Sequence, residues 1–216
     1  MKEATSQKGN AGRGERGFTL VELIVSMVIT LIILGVAVIT FSSALGSRAR
    51  EASRTDAITS AEAALNIMSR EIGNSGYGLT TNGIVLADSG ANRLHFRTNT
   101  DNSDLETSGP GEDVTFYCDS CGQCVDGAAG SVLRHDSNTA VTSGIINRVS
   151  RVDFTYYNYT GTSAPVASTA SAANTGRVNI KLTICLPPAR NQPGNQTIVV
   201  SADVTLRNSL FMRGQY

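Results

Sequence analysis

The sequence predicts an α+β protein in which one long N-terminal α-helix packs on a mainly antiparallel β head domain. Three observations lead there: a nearly unbroken apolar run over residues 23–41, an apolar stripe at helical spacing that continues to Ile72, and short strand-like runs beyond Gly78. The 216 residues suit one ordinary domain plus an appendage, which excludes a large multidomain enzyme. Lys and Arg number 18 and so do Asp and Glu, so there is no basic field to hold a phosphate backbone, and nucleic acid is not an expected partner.

The apolar run explains the first half of the helix. From Leu23 to Phe41 all residues but Ser26, Thr30, Gly35 and Thr40 are apolar. At ~1.5 Å per residue the run is about 28 Å long, enough to cross a bilayer core. Ahead of it, residues 1–17 are hydrophilic and carry Lys2, Lys8, Arg13 and Arg16 against Glu3 and Glu15, so the N-terminus is expected in the cytoplasm. Arg48, Arg50 and Arg54 on the far flank narrow that asymmetry to four against three. A secretory signal has a shorter apolar core of ~7–15 residues, although Ser42-Ser43-Ala44 offers a cleavage site of that kind. Glu22, at the head of the run, argues against both a plain signal and a plain anchor. A carboxylate in hydrocarbon costs about 2.5–3.5 kcal/mol on insertion scales unless something pairs with it.

The string Arg16-Gly17-Phe18-Thr19-Leu20-Val21-Glu22, running straight into the apolar stretch, resembles the processing site of type IV pilins and type II secretion pseudopilins. The resemblance implies that prepilin peptidase cuts between Gly17 and Phe18, removes a leader of residues 1–17 and methylates the new N-terminal amine of Phe18. Cleavage would leave 14 basic and 16 acidic side chains. It also implies that Glu22 meets the N-terminal amine of a neighbouring subunit during assembly. In a low-dielectric helix bundle each of those charges relieves the other's desolvation. Gly17 and Phe18 are thus the candidate cleavage site, Phe18 the methylation site and Glu22 the assembly residue.

After Phe41 the helix turns amphipathic, with Ile58, Ala61, Leu65, Met68 and Ile72 on one face and no proline between Phe18 and Ile72. Gly73, Asn74, Ser75 and Gly76 supply the stop, so one helix is expected from about Phe18 to Ile72, spanning ~80 Å. The expected organisation is residues 1–17 leader, 18–41 transmembrane or filament-core helix, 42–75 amphipathic helix and 76–216 β-rich periplasmic head. Gly35 and Gly46 are the expected weak points of the helix.

Candidate strands are 84–87, 93–98, 113–118, 131–135, 145–159, 177–186 and 197–207. In the sixth, Val178, Ile180, Leu182 and Ile184 alternate with Asn179, Lys181, Thr183 and Cys185, the pattern of a half-buried antiparallel strand. Val114-Thr115-Phe116-Tyr117, Val132-Leu133-Arg134, the run from Ile146 to Tyr157, and the closing pair Arg177-Val178-Asn179-Ile180 and Val204-Thr205-Leu206-Arg207-Asn208 resemble the head of PilW-type minor pilins and J-type pseudopilins. That implies a low-copy subunit that joins sister minor subunits and helps to start or cap a filament. Residues 160–175, rich in Ser, Thr, Ala and Gly, are expected to form a surface loop or tip excursion.

Cys118, Cys121, Cys124 and Cys185 would lie in an oxidising compartment, where two disulfides are expected. The reading leaves Cys118 to pair locally with Cys121 or Cys124, and the remaining loop thiol with Cys185. A metal or iron–sulfur site is the alternative, with two-residue gaps that let thiolates converge, but no Cys-x-x-Cys-His signature occurs and the ferredoxin spacing is incomplete. A redox pair lacks its βαβ setting. Asp101, Asp104, Glu106, Glu112 and Asp113 read as a solvated loop, because Leu105 and Glu106 break the EF-hand pattern. His95 and His135 read as surface residues rather than catalytic bases.

No catalytic residue, metal or cofactor is expected. With no phosphate-binding loop, the work of assembly must come from a cytoplasmic ATPase acting through an inner-membrane platform. The expected partners are therefore prepilin peptidase, other minor and major pilins or pseudopilins, that platform, and the membrane. The expected function is a minor pilin of a type IV pilus, with a J-type secretion pseudopilin as the alternative and a membrane-anchored periplasmic binding or redox module behind it.

Overall fold

The computed structural model describes residues 17–101, 106–125, 129–161, 164–188 and 195–214. The basic leader residues up to Arg16, and Asp104 and Leu105 of the acidic loop, lie outside the described residues. The chain forms two compact units that divide between Leu45 and Gly46. Helix α1 (Leu20–Gly73) contributes to both.

In the N-terminal unit most helical residues are apolar, and their side chains are exposed. The helix is long and apolar enough to cross a membrane, and none of its most apolar stretch is buried. Three of its hydroxyls are satisfied by the helix backbone itself. The hydroxyls of Ser26, Thr30 and Thr40 donate to the carbonyls of Leu23 (2.9 Å), Ser26 (2.7 Å) and Val36 (3.0 Å). Back-bonding of this kind satisfies a hydroxyl that has no water.

In the second unit α1 buries Ala61, Ala64, Leu65, Met68 and Ile72. Ile58, the first residue of the expected stripe, is half-buried. The helix ends at Gly73, where the N–H groups of Asn74 and Ser75 return to Glu71 and Ile72. Gly76 follows at φ +78, where a Cβ would run into the backbone of Thr81 and Asn82, so only glycine fits the turn.

The head is one antiparallel sheet. Its strands are β1 (Arg93–Arg97), β2 (Asp113–Asp119), β3 (Gly130–Asp136), β4 (Val141–Asn158), β5 (Val166–Ser168), β6 (Thr175–Cys185) and β7 (Thr197–Thr205), in spatial order β1-β2-β3-β4-β6-β7 with β5 beside β4. One face is the core: Val114, Phe116, Val132, Val152, Phe154, Val178, Ile180, Leu182 and Ile184 cluster with the buried stripe of α1. Phe96 and Phe116 stack at 5.9 Å between ring centres. Tyr156 is wholly buried and its hydroxyl donates to the carbonyls of Gly90 (3.0 Å) and Arg93 (3.1 Å), while burial pushes its phenol pKa upward. Arg134 Nε donates to both carboxylate oxygens of Glu71, pinning β3 to the last turn of α1. A short C-terminal helix, α2 (Leu210–Arg213), is capped by Ser209.

Four expectations are corrected. Residues 84–87 form no strand: Ile84 makes a single bridge to Phe96, and Leu86–Asp88 is a 3-10 turn. β4 begins at Val141 rather than Ile145, because Val141 and Thr142 pair with Asp136 and His135 across a hairpin whose polar Thr-Ser-Gly sequence hides the alternation. The stretch 160–175 is not a bare excursion, since β5 pairs with Tyr156–Asn158. Its end is also held from beneath by the buried Asn82, whose side-chain amide donates to the carbonyls of Ala172 and Thr175. Fourth, the third candidate strand, 113–118, runs one residue further, to Asp119. β4 also bends: Arg148 takes φ +60, and the register shifts beside it.

Candidate functional site

Gly17, Phe18 and Thr19 precede the first helical residue in an exposed, extended segment. A Cβ built on Gly17 would meet nothing within 4 Å, so the fold itself has no need of glycine there. Phe18 is 79% exposed. The bond between them is therefore outside regular structure and open to a protease.

The helix then starts with a reciprocal cap. Thr19 Oγ1 accepts from the Glu22 N–H (3.3 Å) and donates to Glu22 Oε2 (3.4 Å), and the Leu23 N–H returns to the Thr19 carbonyl (3.1 Å). This is a capping-box spacing, Thr-x-x-Glu, and it places a carboxylate at the positive end of the helix dipole. Reading Glu22 only as an unpaired charge misses this second role, although the four-residue signal is visible in the sequence. Glu22 is exposed and makes no ion pair among the described residues.

Residues 12–38 match the family model for the prokaryotic N-terminal methylation motif. The chain carries the type IV pilin and pseudopilin signature. The match spans the exposed Gly17–Phe18 bond, the Thr19–Glu22 cap and most of the unburied apolar stretch. That motif marks the N-termini of type IV pilins and pseudopilins, and the apolar helix behind it fits membrane anchoring. No curated protein and no solved structure matches the chain.

The head carries the cysteines. Cys118 pairs with Cys121 (Cα–Cα 5.8 Å) and Cys124 with Cys185 (5.6 Å), a local clasp and a bridge across 61 residues. Cys185 alternates out of step with the core residues of β6 yet is only 1% exposed. The bridge ties the loop after β2 to that otherwise polar face.

Two further expectations fail in the head. His95 is not a surface residue. Nδ1 lies 2.9 Å from Asp88 Oδ2 and Nε2 lies 2.5 Å from Asp113 Oδ1, with the side chain 12% exposed. Arg97 Nε donates to the other Asp113 oxygen at 2.7 Å and Arg93 pairs with Asp88, so one polar row ties the 3-10 turn to β1 and β2. His135 Nδ1 lies 2.8 Å from Thr142 Oγ1.

The acidic segment is not simply a solvated loop either, because Glu112 and Asp113 are buried. Desolvation pushes the Glu112 carboxyl up. The N–H groups of Asp101 and Gly109, with the hydroxyl and N–H of Thr100, outweigh it and hold the pKa below the ordinary glutamate value. Burial likewise opposes charge on Asp113, and the His95 and Arg97 hydrogen bonds reverse the sign, leaving its pKa lowered. Neither carboxylate was legible as buried, because the partners that satisfy them arrive through turns and strand register.

Proposed function

We propose that the chain is a minor pilin that helps to start or cap a type IV pilus. In this reading prepilin peptidase cuts between Gly17 and Phe18, Phe18 is N-methylated, and residues 18–41 become the membrane and then filament-core helix. Before assembly the N-terminus faces the cytoplasm, and the head, from residue 76, lies in the periplasm. Glu22 then draws the subunit into register by pairing with the N-terminal amine of a neighbour. Energy comes from a cytoplasmic ATPase working through an inner-membrane platform, and the chain itself is structural rather than catalytic.

The observation that carries the reading is the match of the methylation motif to an apolar helical stretch none of whose residues is buried within its own chain. Such a helix is stable only in lipid or among other helices. The deciding experiment is Glu22→Ala in cells that make the filament. Mass spectrometry should show the variant still cut before Phe18, while sheared filaments contain far less of it. Normal amounts in filaments would refute the assembly role. Copurification separates the pilus from a secretion pseudopilus: sister minor pilins support the first and secretion pseudopilins the J-type alternative.

A further inference from the structure

Strand β7 ends the sheet. It pairs with β6 through nine consecutive registers, from Arg177↔Thr205 to Cys185↔Thr197, with no shift. The bonds Leu206 N–H to Gly176 (2.9 Å) and Leu186 N–H to Gln196 (2.8 Å) frame that ladder. Antiparallel alternation then turns the backbone groups of Ile198, Val200, Ala202 and Val204 toward β6, and those of Thr197, Val199, Ser201, Asp203 and Thr205 outward. Among the described residues, no backbone hydrogen bond reaches this outward row.

The opposite edge of the sheet is treated differently. There Gly83, Val85 and Gly76 bond to Arg97 and His95 along β1 and cover it. Exposed edges are normally blunted by lysine, proline or a bulge, and β7 contains none of these. Beside its first residues a groove of about 490 Å³ is lined by Arg50, Arg54, Pro187, Ile198 and Val199. Arg50 and Arg54 stand one helical turn apart and meet no carboxylate within 4 Å among the described residues. Like charges at that spacing repel. Glu51 lines the groove too and leaves it with one net positive charge.

We propose that the outer edge of β7 is a docking site for an extended segment of a different filament subunit, which adds a strand to the sheet and directs an acidic side chain at Arg50 and Arg54. The inference rests on the assembly reading above. Main-chain bonds from five outward residues supply the affinity and the arginine groove supplies the selection. A second copy pairing through its own β7 does not supply that acid. An acid aimed at α1 must lie on the core-facing side of the added strand, and in β7 those positions are Ile198, Val200, Ala202 and Val204. Asp203, its one acid, faces the other way.

The test uses the full-length chain in cells that make the filament. Residue-resolved amide exchange should show Thr197, Val199, Ser201, Asp203 and Thr205 exchanging freely in the detergent-solubilised subunit and protected about 100-fold or more in sheared filaments. Ser201→Pro removes an outward N–H that β6 does not use. It should lower incorporation about tenfold with processing before Phe18 and thermal unfolding unchanged. Arg50→Glu with Arg54→Glu should do the same, while Arg50→Lys with Arg54→Lys should retain incorporation.

Unprotected edge amides, or unimpaired Ser201→Pro in filaments that still depend on Glu22, would overturn this proposal alone. A wild-type chain absent from filaments would overturn the assembly reading along with it. Protection that rises with concentration of the purified chain by itself would put a second copy on the edge and overturn the proposal.

Discussion

Glu22 does two physical jobs at once. Its carboxylate completes the cap with Thr19, and it stands at the entrance of an apolar segment where a lone charge is costly. Thr19→Ala should therefore fray the first turn at a cost of about 1 kcal/mol without removing the charge. Incorporation should fall less than for Glu22→Ala, as comparison of the two variants in sheared filaments would show. Glu112 is the head's counterpart, a buried carboxylate satisfied by backbone donors. Glu112→Gln turns an acceptor into an N–H group facing other donors and should cost about 2 kcal/mol or more, measured by chemical unfolding in detergent. Because the Glu112 and Asp113 pKa values are depressed in the folded state, their contribution is present above the unfolded carboxylate values and is lost as pH falls through the folded ones. Stability should decline below about pH 4.5, and Glu112→Gln with Asp113→Asn should flatten that decline.

Elements differ in how plainly their sequences announce them. The helix was visible end to end, because its apolar run and its apolar stripe are both local patterns, and it begins at Leu20 and stops at Gly73 as glycine and asparagine at its end imply. Strand β6 was equally plain, its alternation matching alternate burial. β5 was not, because three residues, Val166–Ser168, carry no period and acquire strand geometry only by pairing with β4. The disulfides show the same division. Spacing indicated one local pair and one long one, while only the fold chose Cys121 over Cys124 as the partner of Cys118. On the loop-entropy account the 61-residue bridge is worth about 4 kcal/mol and the three-residue clasp about 2. Cys124→Ser with Cys185→Ser should thus lower the unfolding midpoint more than Cys118→Ser with Cys121→Ser, and an equal or reversed order would contradict that account.

At the scale of the whole molecule, the processing motif, the apolar helix and the α+β class were determined by sequence alone. Each is written in contiguous residues, either as a string a peptidase can meet or as a hydrophobic period that any packing partner must respect. The motif match covers residues 12–38, so it speaks for the N-terminal segment and leaves the head to be read from its own geometry. Tertiary structure alone decided that His95 is half-buried and Glu112 buried, which thiols pair, and that the sheet covers its β1 edge and exposes β7. Those outcomes depend on contacts between residues far apart in the chain, and a local pattern cannot reveal which distant donor or thiol closure will bring within reach.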